Sequence, residues 1–126
     1  MTLEELLDYE IRCSSRYRRF VSIVMVANGN GANVDLKHLL GEHVRSSDSY
    51  FEFKNASAIL MGETDINGSL QAVDRYKSNY SSEIDLRFAV ASYPNDGQST
   101  LEILDTLLRR SDESKLGKHG EVIAQG

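Results

Sequence analysis

The chain predicts an α/β sandwich of the ferredoxin-like, split βαβ type: an antiparallel central sheet with helices packed on it. Three observations carry that prediction. Apolar residues switch between helical spacing and strand-like runs in the order α-β-α-β-β-α-β-α. Two of the strand patterns meet at a tight polar junction in mid-chain, so that two βαβ crossovers flank a hairpin. The length, 126 residues with 40% hydrophobic and 26% charged, suits one domain, residues 1–126, with one modest core.

Each element has its own local reason. Thr2 and Glu5 form a capping-box pair ahead of Leu3, Leu6, Leu7 and Ile11 at helical spacing, which predicts a first helix to about Arg18. Phe20 to Ala27 is a continuous β-branched and apolar run, expected to be a strand buried on both faces. Asn28-Gly29-Asn30-Gly31 breaks it as a turn, and Val34, Leu36, Leu39, Leu40 and Val44 mark a short second helix. Ser49–Lys54 and Ala56–Met61 are two strands joined at Lys54-Asn55, with this hairpin expected at the centre of the sheet. Thr64 is the expected cap of a third helix carrying Ile66, Leu70, Val73 and Tyr76/Tyr80. Asp85–Ser92 alternates around Leu86, Phe88 and Val90 as a fourth strand, and Pro94-Asn95-Asp96-Gly97 is a turn by composition. Ser99 and Glu102 cap a last long helix with Leu101, Leu104, Leu107 and Leu108, and the tail ends in a short edge strand after Gly120. Leu7, Leu40, Val73 and Leu104 are the expected buried positions on the four helices.

Composition narrows the function. The longest apolar run, Val21–Ala27, is far shorter than the roughly 18 residues of a spanning helix, so no membrane insertion is expected. No basic-then-apolar leader precedes Leu3, and Cys13 is the single cysteine, which excludes an internal disulfide and a cysteine-built zinc site. The expected location is the cytoplasm. A formal charge of -5 argues against nucleic acid as a partner, because duplex affinity comes largely from neutralised phosphates. A small anionic ligand remains compatible, since a local arginine cluster dominates at short range.

Common catalytic signatures are missing. Gly29-Asn30-Gly31 lacks the later glycine and Lys-Ser/Thr of a phosphate loop and reads as a turn. His38 and His43 are five apart, about 140° around a helix, and with His119 they form no metal cluster; all three read as surface residues, and no metal or cofactor is expected. Arg12, Arg16, Arg18 and Arg19 crowd the end of the first helix, where positive charge suits the dipole.

The segment Val90-Ala91-Ser92-Tyr93-Pro94-Asn95-Asp96-Gly97, with the helix Ser99–Leu108 behind it, resembles the last strand, turn and helix of GGDEF domains, the diguanylate cyclases that make cyclic di-GMP. Leu3 to Met25 is similar to that family's opening helix and first strand. Arg45-Ser46-Ser47-Asp48, followed by Ser49–Thr64, resembles its RxxD motif and signature hairpin, and Ser114-Lys115 through Gly120 its closing segment. The resemblance spans nearly the whole chain and implies a bacterial signalling domain that belongs to a longer protein.

The departures concern catalysis. Where the family's first strand ends in a metal-binding aspartate, this chain has Ala27; the stretch that holds guanine is shortened to Asn28–Asp35; and the signature Gly-Gly-Asp/Glu-Glu-Phe is replaced by Phe53-Lys54-Asn55-Ala56-Ser57. Ala56 and Ser57 cannot ligate Mg²⁺ as carboxylates do, and this phosphoryl transfer relies on metal ions. The resemblance therefore implies no enzyme and no catalytic residue. A second family site, which binds cyclic di-GMP away from the catalytic face, is matched by Arg45 and Asp48, with Arg75 on the following helix. Arginine can bond guanine O6/N7 in two places or pair with phosphate, and aspartate can accept from guanine N1–H and its amino group. Nine Arg and nine Asp in 126 residues give about 0.6 RxxD matches by chance (nine times nine over 126, a composition base rate), and Arg109/Asp112 is a second one, so register carries the assignment. The bland reading of Arg45 and Asp48 is a surface ion pair worth at most ~1 kcal/mol. The expected function is an inactive cyclic di-GMP receptor, open to a ligand-linked homodimer or to another signalling domain; the alternative is a ligand-free interaction or dimerisation module.

Overall fold

The computed structural model describes residues 1–28, 36–40, 44–54, 56–78, 85–116 and 122–125, with the backbone alone at His38 and Leu39. Helix α1 (Leu3–Tyr17) begins where Thr2 accepts from Glu5 N–H at 3.2 Å and donates to the Glu5 carboxylate at 3.1 Å. Leu3, Leu7, Ile11 and Ser14 line its buried face. It ends at Arg18, in the left-handed region at φ 55°, whose N–H bonds the Ser14 carbonyl.

Strand β1 (Val21–Asn28) follows, then helix α2 (Leu36–Leu40), strands β2 (Asp48–Phe53) and β3 (Ala56–Gly62), and helix α3 (Ile66–Lys77). Strand β4 (Leu86–Tyr93), helix α4 (Thr100–Lys115) and the two-residue strand β5 (Val122–Ile123) complete the order. The sheet runs β2-β3-β1-β4-β5. β1 is antiparallel to both neighbours, with Val21 opposite Gly62 and Tyr93, and Ala27 opposite Ala56 and Arg87. This is the split βαβ arrangement: each crossover joins parallel strands that admit a third strand between them. β5 adds in parallel to β4 at Phe88 and Ala89, the short edge strand expected of the tail.

The hairpin is not central, contrary to expectation. β2 is an edge and β1 the middle strand: β1, β3 and β4 are each apolar on both faces, whereas no residue of β2 is fully buried. One face of the sheet packs Ile23, Leu60, Ala89 and Ala91 against Leu3, Leu7 and Ile11 of α1 and Ile103 and Leu107 of α4. The other packs Val24, Val26, Ile59, Phe88 and Val90 against Leu36, Leu40, Ala72, Val73 and Tyr76.

Smaller corrections have local causes. Phe20 lies outside the strand and is 42% exposed. Asp65, not Thr64, caps α3, accepting from Gly68 N–H at 2.9 Å, while the Thr64 hydroxyl turns back to the Gly62 carbonyl. On α4 the inward positions are Ile103, Leu107, Arg110, Ser111 and Ser114; Leu101 and Leu108 are exposed and Leu104 half-buried. Expectations for residues 29–35, His43, Asn55, Tyr80, His119 and Gly120, and for the side chains of His38 and Leu39, lie outside the described residues.

The turn after β4 is tied down from α4. Arg110, 4% exposed, donates to the Val90 carbonyl and to the Asp96 carboxylate, both at 2.8 Å. The second carboxylate oxygen of Asp96 accepts from Ser92 N–H at 2.8 Å, and its carbonyl accepts from Thr106. At Gly97 an added Cβ would come within 2.8 Å of the Glu102 Cβ, so the first turn of α4 packs directly on the backbone.

Candidate functional site

Arg45, Asp48 and Arg75 line one cleft of about 290 Å³, at the end of the sheet where β1 begins and β3 ends. Three separate pieces of chain supply them. Arg45 and Asp48 form the bend that leads into β2, and Arg75 comes from the last turn of α3. Phe20, Met61, Glu63, Thr64, Asp65, Gly68, Gln71 and Ala72 complete the walls. Thr64, just past the end of β3, is tied to the middle strand: Ser22 Oγ donates to the Thr64 carbonyl at 2.7 Å and accepts from Ser92 Oγ at 2.7 Å.

The tetrapeptide closes on itself. Asp48 accepts the Arg45 backbone N–H at 3.2 Å through its carboxylate, and Asp48 N–H bonds the Arg45 carbonyl at 3.0 Å. That is a local side-chain-to-backbone turn, not the side-chain ion pair of the bland reading. The other RxxD, Arg109/Asp112, lies within α4, exposed, where helical bonding occupies the backbone groups such a turn would use.

Among the described residues, each carboxylate lining the cleft has a partner. Asp48 holds Arg45 N–H, Asp65 caps Gly68 N–H, and Glu63 pairs with Arg19. An incoming anion meets two guanidiniums and the N-terminal end of α3, with Glu63 paired to Arg19 and Asp48 and Asp65 engaged with backbone N–H groups. The chemistry available is anion pairing and bidentate recognition of a planar acceptor edge.

Tyr76 lies behind the arginines, fully buried, and its hydroxyl has no hydrogen-bond partner among the described residues. Its pKa is pushed up to about 12, first by burial and then by the Asp48 charge, with Arg75 and Arg45 acting against the rise. Folding thus retains a proton that the unfolded chain releases near pH 10. Stability is complete below pH 10 and falls as pH climbs toward 12, by roughly 2–3 kcal/mol in total at about 1.4 kcal/mol per pH unit. Tyr76→Phe should remove that alkaline slope and leave neutral-pH stability equal or higher, because an orphaned buried hydroxyl is lost. Urea titrations of both proteins from pH 8 to 12 check this; parallel alkaline slopes would refute it.

The positions expected to have lost catalytic carboxylates occupy the opposite end of the strands. Ala27 faces Ala56 across β1 and β3, both with side chains toward α1 and α4, roughly 20 Å along the strands from the cleft. Ser57 is buried on the other face and hydrogen-bonded to the Tyr50 hydroxyl. Among the described residues, no group of three His, Cys, Asp or Glu side chains could hold a metal ion, and no helix is long and apolar enough to cross a membrane. Sequence reasoning missed Phe20, Glu63 and Gln71 as cleft residues; only their flanking position to β1, β3 and Ala72 could have pointed to them.

No protein-family model and no curated protein matches the sequence. Solved structures do match. The GGDEF domain of YfiN (TpbB) from Pseudomonas aeruginosa aligns at 14% identity and a TM-score of 0.82, covering 98% of this chain and 92% of that one. The active GGEEF domain of a diguanylate cyclase from Vibrio cholerae aligns at 13% identity and a TM-score of 0.77, covering 98% and 96%. A microbial GGDEF domain whose structure concerns its interaction with cyclic di-GMP aligns at 10% identity and a TM-score of 0.75, covering 97% and 87%. The fold is that of GGDEF domains.

Proposed function

We propose that this chain is a catalytically inactive GGDEF-like domain that acts as a cyclic di-GMP receptor through Arg45, Asp48 and Arg75. The observation that carries the reading is their convergence on one cleft from positions 45, 48 and 75. Arg45 and Arg75 bind guanine O6/N7 edges and phosphates, and Asp48 accepts from the guanine Watson–Crick edge. A solved relative of the same fold interacts with this dinucleotide. The cleft volume, about 290 Å³, is at the lower end of small-molecule sites. It admits one nucleotide end, so the rest of the ligand lies along the surface or against a second domain, which suits a ligand-linked pair.

Inactivity rests on chemistry. With Ala27, Ala56 and Ser57 at the strand ends, no carboxylate stands at the three positions from which the family's metal ions are held, and phosphoryl transfer without them leaves the developing charge uncompensated. The domain thus reads a signal made elsewhere.

Calorimetric titration with cyclic di-GMP, beside a GTP turnover assay with excess Mg²⁺ or Mn²⁺, tests both halves. Saturable binding, little competition from GTP and no product above a no-enzyme control are expected, and Arg109→Ala should bind like wild type. Metal-dependent product that survives repurification would overturn the inactive half. The second reading, a ligand-free interaction module, draws on the exposed apolar side chains Phe53, Leu101, Leu108 and Leu116; it takes over if no heat is measured at high micromolar ligand.

A further inference from the structure

We infer that Phe20 is the platform on which a guanine base stacks in the Arg45/Asp48/Arg75 cleft; the inference rests on the receptor reading above. Among the described residues lining the cleft, Phe20 is the one aromatic ring, and 42% of it is open to water. A single exposed phenylalanine is ordinary on a protein surface; one that shares a cleft with two guanidiniums and a carboxylate is placed differently. Those groups read the edge of a base and leave its apolar π-face unserved. Met61 and Ala72, the other apolar wall residues flanking Arg75 and Asp48, are each only 2% exposed and offer a floor rather than a plane. The ring of Phe20 supplies the plane, and its wetted surface gains on being covered.

The backbone that carries the ring is also held in advance. Arg18 closes α1 and Arg19 N–H bonds the Ser14 carbonyl at 2.9 Å. The Arg19 side chain pairs with Glu63, another residue of the cleft, and Val21 starts the central strand. The Phe20 backbone therefore sits between a capped helix end and the central strand, so little backbone ordering is required when a base arrives. Stacking is tolerant of base identity, whereas Asp48 and the arginines supply the preference for guanine. Phe20 accordingly sets affinity and the pose, and the polar trio sets specificity.

Two substitutions test this in the full chain. Phe20→Leu keeps the apolar bulk and removes the π-face; cyclic di-GMP should bind at least about fivefold more weakly, with the thermal midpoint unchanged because the side chain is half open. Phe20→Trp should bind within about twofold of wild type. The chain has no tryptophan, so the F20W indole is the sole such fluorophore, and saturating ligand should quench it. An F20L affinity within twofold of wild type, or F20W emission unchanged at saturation, overturns the platform while leaving the receptor reading standing. If wild type binds no cyclic di-GMP, the receptor reading falls alone when millimolar 5′-GMP still quenches F20W, and both fall when it does not.

Discussion

Arg110→Ala is expected to cost about 3–5 kcal/mol of folding stability, the range for removing one partner of a buried ion pair. In a chain of this length that corresponds to a thermal midpoint lower by roughly 10–20 °C. The guanidinium is 5% exposed and Asp96 15%, so its loss strands a carboxylate that water reaches poorly and frees the Val90 carbonyl. Arg110 also bonds across from α4 to β4, so the damage falls on the packing of the helix on its strand. Asp96→Ala should destabilise too, and the double variant should cost clearly less than the sum, since the second change removes a pair already broken. Chemical denaturation of the four proteins gives the answer. A loss under 1 kcal/mol for Arg110→Ala would show that solvent compensates this pair.

The largest functional effect is expected from removing both cleft arginines. Each hydrogen bond to a charged group contributes about 1.5–3 kcal/mol, so Arg45→Ala with Arg75→Ala should weaken cyclic di-GMP binding by about 10²- to 10⁴-fold, and Arg45→Ala alone by several-fold or more. The fold should tolerate both changes, because Arg45 is exposed and Arg75 half-exposed, and the turn uses the Arg45 backbone. Titration of the single and double variants, with circular dichroism to show that they are folded, decides it. A double variant that binds within tenfold of wild type would move the ligand to another surface.

How far the sequence could be read follows from which forces are local. The capping boxes at Thr2/Glu5 and Ser99/Glu102 appear as expected because the partners are three residues apart. The strand from Val21 to Ala27 is legible because seven mostly apolar residues have nowhere else to go. Arg45, Asp48 and Arg75 were found through register against a known family and do meet in one cleft. The misreadings arise where a distant partner decides. The leucine pattern marked Leu104 as the buried position of the last helix, yet it is only half-buried and α4 turns Arg110, Ser111 and Ser114 to the core, where Asp96 and Val90 supply what the guanidinium needs. Phe20 was counted into the strand on apolarity alone, although the chain emerges at the cleft one residue earlier. The Arg19–Glu63 pair spans 44 residues, beyond the reach of any local pattern.

The placement of β1 at the middle of the sheet bears on how the chain reaches its fold. Its two hydrogen-bonded neighbours come from well beyond it in the sequence, one from mid-chain and one later: Val21 meets Gly62 on one side and Tyr93 on the other. A nascent chain that ends before residue 86 leaves its most apolar strand with one open edge, the kind of edge that recruits other chains. The contacts that close it have long sequence separation, which places such topologies among the slower folders. Closure of the central sheet on both sides of β1 therefore waits for Leu86–Tyr93.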